Sequence, residues 1–167
     1  FGAGDVMYVV NRVGPEVAVR MPYKRISICT RDQDYLGEFS TGGTGAGEIM
    51  WPASIAVGPD GNVYVSDEAL NRISIFDPKG GFLSMWGVRG AEKGQLNRPA
   101  GIAFDSEGNL LVADGLNHRI QRFTSDGLFL DTWGGQGSGD GELNIPWGIS
   151  LDSDGNVHVA DWRNDRI

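Results

Sequence analysis

The sequence holds a single cysteine, Cys29, in 167 residues. An internal disulfide framework is therefore excluded, and the thiol count fits a reducing compartment or a disulfide-free secreted protein equally well. Two histidines, His118 and His158, give little support to a histidine-rich metal centre within this segment. Positive charge is scarce, with 14 Lys and Arg against 22 Asp and Glu and a net charge of -8. That balance disfavours nucleic acid as a partner, since a phosphate backbone needs a basic surface. No stretch approaches the roughly 18 consecutive apolar residues of a membrane-spanning helix. The chain begins at Phe1 with no initiator methionine or apolar leader, so a targeting signal is expected to have been removed or to lie outside this sequence. Also missing are the Gly-x-Ser-x-Gly elbow, the His-Glu-x-x-His helix and the phosphate-binding Gly-x-x-x-x-Gly-Lys-Ser/Thr loop.

Glycine, by contrast, is abundant at 26 residues, and an internal repeat explains it. Pro52, Pro99 and Pro146 recur every 47 residues, followed in register by Ile55, Ile102 and Ile149, then Val65, Val112 and Val159, then Asp67, Asp114 and Asp161. The register continues through Arg72-Ile73, Arg119-Ile120 and Arg166-Ile167, and back to Arg25-Ile26. Within one copy, Ile55 to Val57, Val63 to Val65, Ile73 to Phe76 and Phe82 to Trp86 are short apolar runs separated by turn residues such as Asp60-Gly61. Runs like Leu110-Leu111-Val112 hardly alternate, as strands covered on both faces should read. Four strands per repeat, near the ~40 to 45 residues of common propeller repeats, predict an all-β fold: an arc of β-propeller built from four-stranded antiparallel blades. The expected units are a partial blade with an insertion over 1–51, blades over 52–98 and 99–145, and a partial blade over 146–167, all in one domain.

Gly-x-Gly-x-Gly-Glu-Leu-Asn-x-Pro at Gly137 to Pro146, Gly108-Asn109 through Val112-Ala113-Asp114, and Asn117-His118-Arg119-Ile120 resemble the NHL repeat. The resemblance implies a propeller commonly of six blades, which at this period would need roughly 280 residues, so the segment is expected to be a fragment with an incomplete ring. An open arc should expose sheet edges and an apolar blade face. Asn11 precedes its arginine by nine more residues than Asp67 does, which places a surface insertion over Arg12 to Lys24.

Repetition separates scaffold from site. The recurring Asp and Arg, one pair per blade, suit the fastening of strands and neighbouring blades rather than catalysis, which needs unlike groups converging on one atom. Asp152-Ser153-Asp154-Gly155-Asn156 opens like a calcium loop but carries Val157 and Arg163 where a sixth-position glycine and twelfth-position glutamate are required, so a hairpin turn is the better reading. His158 replaces Tyr64 and Leu111 in mid-strand and is expected to be packed; Cys29, aligned with Phe76 and Phe123, likewise. No metal or cofactor is called for.

The ligand is expected where register stays fixed and side chains change. Glu68-Ala69-Leu70-Asn71 becomes Gly115-Leu116-Asn117-His118 and then Trp162-Arg163-Asn164-Asp165; Trp51, Arg98 and Ile145 interchange, and Trp147 replaces Ala53 and Ala100. Both connections should emerge on one face, and Trp and Arg are enriched among binding hot spots. The candidate ligand-binding residues are Trp147, Trp162, Arg163, His118, Trp51 and Glu68, with the Arg12 to Lys24 insertion beside them. Their function is expected to be noncatalytic recognition of a protein, peptide or carbohydrate. The alternative is a propeller hydrolase or lyase with a central-channel site completed by further blades. Trp147 and Trp162 have a second possible duty, sealing gaps between blades.

Overall fold

The computed structural model describes residues 6–11 and 24–167. Among the described residues thirteen strands form four antiparallel sheets, and no helix is longer than a single 3-10 turn. The first sheet is β1 (Val6–Asn11), β2 (Arg25–Thr30) and β3 (Tyr35–Phe39). The second runs β4 (Pro52–Val57), β5 (Val63–Asp67), β6 (Arg72–Phe76) and β7 (Phe82–Trp86). The third repeats it as β8 (Pro99–Phe104), β9 (Leu110–Asp114), β10 (Arg119–Phe123) and β11 (Phe129–Gly134); the fourth is the hairpin β12 (Pro146–Leu151) and β13 (Val157–Asp161). Strands pair in sequence order, as hairpin-connected blades require. The Arg12 to Lys24 insertion lies outside the described residues except for Lys24 itself.

Burial comes from blade stacking. Tyr64, Ile73 and Ile75 of the second sheet pack on Ile102, Leu110, Val112 and Phe123 of the third. On the other face of the third sheet, Leu111, Ala113 and Ile120 meet Ile149, Leu151, Val157 and Val159. Strand β9 is thus buried at every residue, which explains its lack of alternation. The inner strands run so close together that a Cβ on Gly101 would lie 2.7 Å from both the Ile149 nitrogen and the Trp147 oxygen. Only glycine fits that approach. Strand β13 has cover on one face alone, and it alternates. His158 is accordingly not packed. Its side chain is half exposed, with Nε2 3.1 Å from Asp152 Oδ2, because the face that covers Tyr64 and Leu111 in the other sheets is open here.

The repeated polar residues fasten consecutive blades. Arg119 donates to the Ala91, Glu92 and Gln95 carbonyls in the connection from the preceding blade, and Arg166 repeats this on Ser138, Gly139 and Glu142. Each also meets its aspartate, Arg119 to Asp114 at 2.8 Å and Arg166 to Asp161 at 2.9 Å. The second sheet departs from the expected pairing. Arg72 reaches the Thr44, Gly45 and Glu48 carbonyls, but its Nε has no hydrogen bond, while Asp67 accepts from the Met50, Trp51, Ala69 and Leu70 backbone N–H groups. Asn117 and Asn164 bridge the aspartate to a carbonyl of the preceding connection; the corresponding residue here is Leu70, which has no amide to do so.

The Asp152 turn is a closed hairpin. Its carboxylate accepts from the Asp154 and Asn156 N–H groups, the Asn156 amide and His158, and those bonds hold its carboxyl well below the usual range.

Candidate ligand-reading face

The register places all six candidate residues at one end of the blades. Pro52 pairs with Asp67, Pro99 with Asp114 and Pro146 with Asp161, so each inner strand begins beside the connection that leaves its second strand. Trp51 and Trp147 flank the inner-strand starts, while Glu68, His118, Trp162 and Arg163 lie in those connections.

Two side-chain groups result. In the last sheet, Trp162 opens the 3-10 turn Trp162–Asn164 and Trp147 is the second residue of β12; their ring centroids are 6.0 Å apart and inclined by 60°. Trp162 is 55% exposed and Trp147 38%. The Arg163 guanidinium lies 4.9 Å from the Trp162 ring centroid, a cation–π distance. A groove of about 740 Å³ runs beside the pair, bordered by Ala160, Asp165, Arg166 and Ile167. In the second sheet, Glu68 is fully buried and is paired at 2.6 Å with Arg98, whose guanidinium stands 5.8 Å from the Trp51 ring centroid. Arg98 belongs with the candidates; its position in register with Trp51 and Ile145 was the available signal.

His118 lies in neither stack. It ends the 3-10 turn Gly115–Asn117 in the left-handed region, at φ 55, and its Nδ1 accepts the Ile145 N–H at 3.2 Å. The ring is thereby fixed in the tautomer that carries its proton on Nε2.

Electrostatics differ between equivalent carboxylates at this end. Burial dominates at Asp114 and pushes its carboxyl up against the bonds from Asn97, Asn117 and Arg119. At Asp161 burial also pushes upward, but the Asn144 N–H, the Asn164 amide and Arg166 together outweigh it and hold the group below its ordinary value. Among the described residues no three His, Cys, Asp or Glu side chains are grouped to hold a metal.

This architecture is that of a β-propeller arc whose sheets do not close into a ring. Residues 96–123 match the NHL repeat. Among solved structures the chain is similar to virginiamycin B lyase from Staphylococcus aureus, solved with quinupristin, at 18% identity and TM-score 0.60; the match covers 93% of this chain and 53% of the lyase. A streptogramin B lyase is 16% identical at TM-score 0.61, covering 95% of this chain and 53% of its own. A WD40 β-propeller domain is 14% identical at TM-score 0.59, covering 86% of this chain and 43% of its own. Such identities show the fold alone, and the chain spans about half the length of the lyases. No curated protein matches the sequence.

Proposed function

We propose that the chain is part of a noncatalytic NHL-type recognition platform, in one propeller domain of six blades of which 52–98 and 99–145 are two. The ligand, a protein, peptide or carbohydrate, is read on the face where the inner strands begin. The observation that carries this reading is the Trp147–Trp162 pair with Arg163 against it, on a blade held rigid by repeated Arg–carbonyl bonds. Large aromatic surface backed by a guanidinium suits stacking on a sugar ring or a peptide side chain, and such residues dominate binding energy where they are found at interfaces. Trp51, Arg98 and Glu68 extend the same face one blade away, with the Arg12 to Lys24 insertion as a further contributor.

The likeness to two streptogramin-cleaving lyases supports the second reading, a central-channel enzyme completed by other blades. The two readings part on one experiment. Peptide and glycan arrays are probed with wild type, Trp162→Ala, Arg163→Ala and an opposite-face control, Asp126→Ala. Binding should weaken by at least ~1 kcal/mol in the first two variants and stay unchanged in the control. Equal binding by all four proteins, or turnover of a streptogramin, would exclude the platform reading.

A further inference from the structure

The residue at positions 24, 71 and 118 faces the same backbone feature at each of three successive blade junctions, the peptide just before the next inner strand. Asn71 Oδ1 accepts the Arg98 N–H at 2.9 Å, and His118 Nδ1 accepts the Ile145 N–H at 3.2 Å. Lys24 is a donor, and at its junction Nζ instead donates to the Met50 carbonyl. The peptide there is reversed. The Trp51 N–H points to Asp67 in its own blade, whereas Arg98 and Ile145 point theirs back to the preceding blade. The backbone angles agree, since Arg98 and Ile145 both have φ 55 and Trp51 has no positive φ. The opposite ends of the peptide follow. The Asn97 and Asn144 carbonyls accept from the Leu116 and Arg163 N–H groups, while the equivalent Ala69 N–H turns to Asp67 Oδ1 at 3.1 Å. An acceptor side chain therefore goes with one peptide orientation and a donor with the other.

Of the three, His118 alone is an acceptor that becomes a pure donor by binding a proton. A neutral imidazole accepts at Nδ1; an imidazolium donates from both nitrogens, as an ammonium does. We propose that His118 is a proton-operated switch for the Asn144–Ile145 peptide, with the Lys24 junction showing the protonated arrangement. On taking a proton from solvent, His118 loses its bond to the Ile145 N–H and donates to the reversed Asn144 carbonyl. The Ile145 N–H then turns to Asp161, as that of Trp51 does to Asp67. The reversal also removes Ile145 from a left-handed conformation that is strained for a β-branched residue. The charged groups around this junction are otherwise engaged: Asp114 with Arg119 on the same blade, Glu68 with Arg98 on the preceding one, and Asp161 with Arg166 on the next. Arg163, which loses its bond to the Asn144 carbonyl, carries the guanidinium over Trp162, and Trp147 lies two residues after Ile145. The consequence for ligand binding rests on the platform reading; the switch itself does not.

Amide NMR of the chain followed over a pH titration tests the switch without any ligand. His158→Gln is used as background to remove the other imidazole. The Ile145 and Arg163 amide signals should move together with the His118 ring signals. His118→Asn, an acceptor at every pH, should hold both amides at their high-pH positions, and His118→Lys at positions near the low-pH ones. The proposal is overturned if the His118 ring titrates while the Ile145 amide stays still, or if the amides titrate unchanged in His118→Asn. Should the switch hold while the array variants bind normally, the face reading fails and the switch stands.

Discussion

The third sheet and the β12–β13 hairpin carry the same motif in different surroundings. Asp114, Asn117 and Arg119 repeat the bonds of Asp161, Asn164 and Arg166, with arginine-to-aspartate distances of 2.8 and 2.9 Å, and Asp114 accepts in addition from Gln121 Nε2 at 2.9 Å. In the third sheet a neighbour covers each face; in the hairpin one face is open. Geometry is therefore set within a blade and its incoming connection, while burial is supplied by the following blade. The opposite directions in which Asp114 and Asp161 are shifted are the electrostatic record of that difference.

Core truncation should break the symmetry most. Phe123 is fully buried, and Phe123→Ala should cost roughly 3 to 5 kcal/mol in urea unfolding, whereas Trp162→Ala, at a half-exposed ring, should cost under ~1 kcal/mol. Similar losses would mean that the hairpin face is covered in solution. The polar network should follow at smaller amplitude. Asp114→Ala should lose roughly 2 to 4 kcal/mol and Asp161→Ala roughly 1 to 2, because Arg166 keeps access to water when its partner is removed.

The carboxylates sharpen the comparison through pH. With its folded value raised, Asp114 stabilises the fold most below the unfolded carboxyl value and loses that contribution as pH rises through the folded one. Asp161, with its folded value lowered, contributes above the unfolded value and loses it as pH falls through the folded one. Carboxyl-carbon NMR titration should find Asp114 above, and Asp161 below, the ~3.9 of a free aspartate. Coincident midpoints would show that cover does not distinguish the two sites.

Periodicity made the blades legible, because strand, turn and Asp–Arg positions recur with a fixed spacing that backbone register must obey. The shared end of the candidate residues was legible for the same reason. His158 was misplaced since its mid-strand position implies packing only when a neighbour is present. The Asp67–Arg72 pairing failed on one changed residue, Leu70 for asparagine, whose bridging role is visible only in three dimensions. The reversed peptide at Met50–Trp51 is met by Lys24, across 26 residues of chain, and no local pattern announces it.

Native-state hydrogen exchange at Leu111 and His158, equivalent residues of β9 and β13 that pair with Ala103 and Ser150 of the inner strands, tests the dependence of burial on a neighbouring blade most directly. The Leu111 amide should exchange only through global unfolding, and His158 at least ~100-fold faster through local opening, a gap of about 2.7 kcal/mol. Equal protection at the two positions would contradict the account.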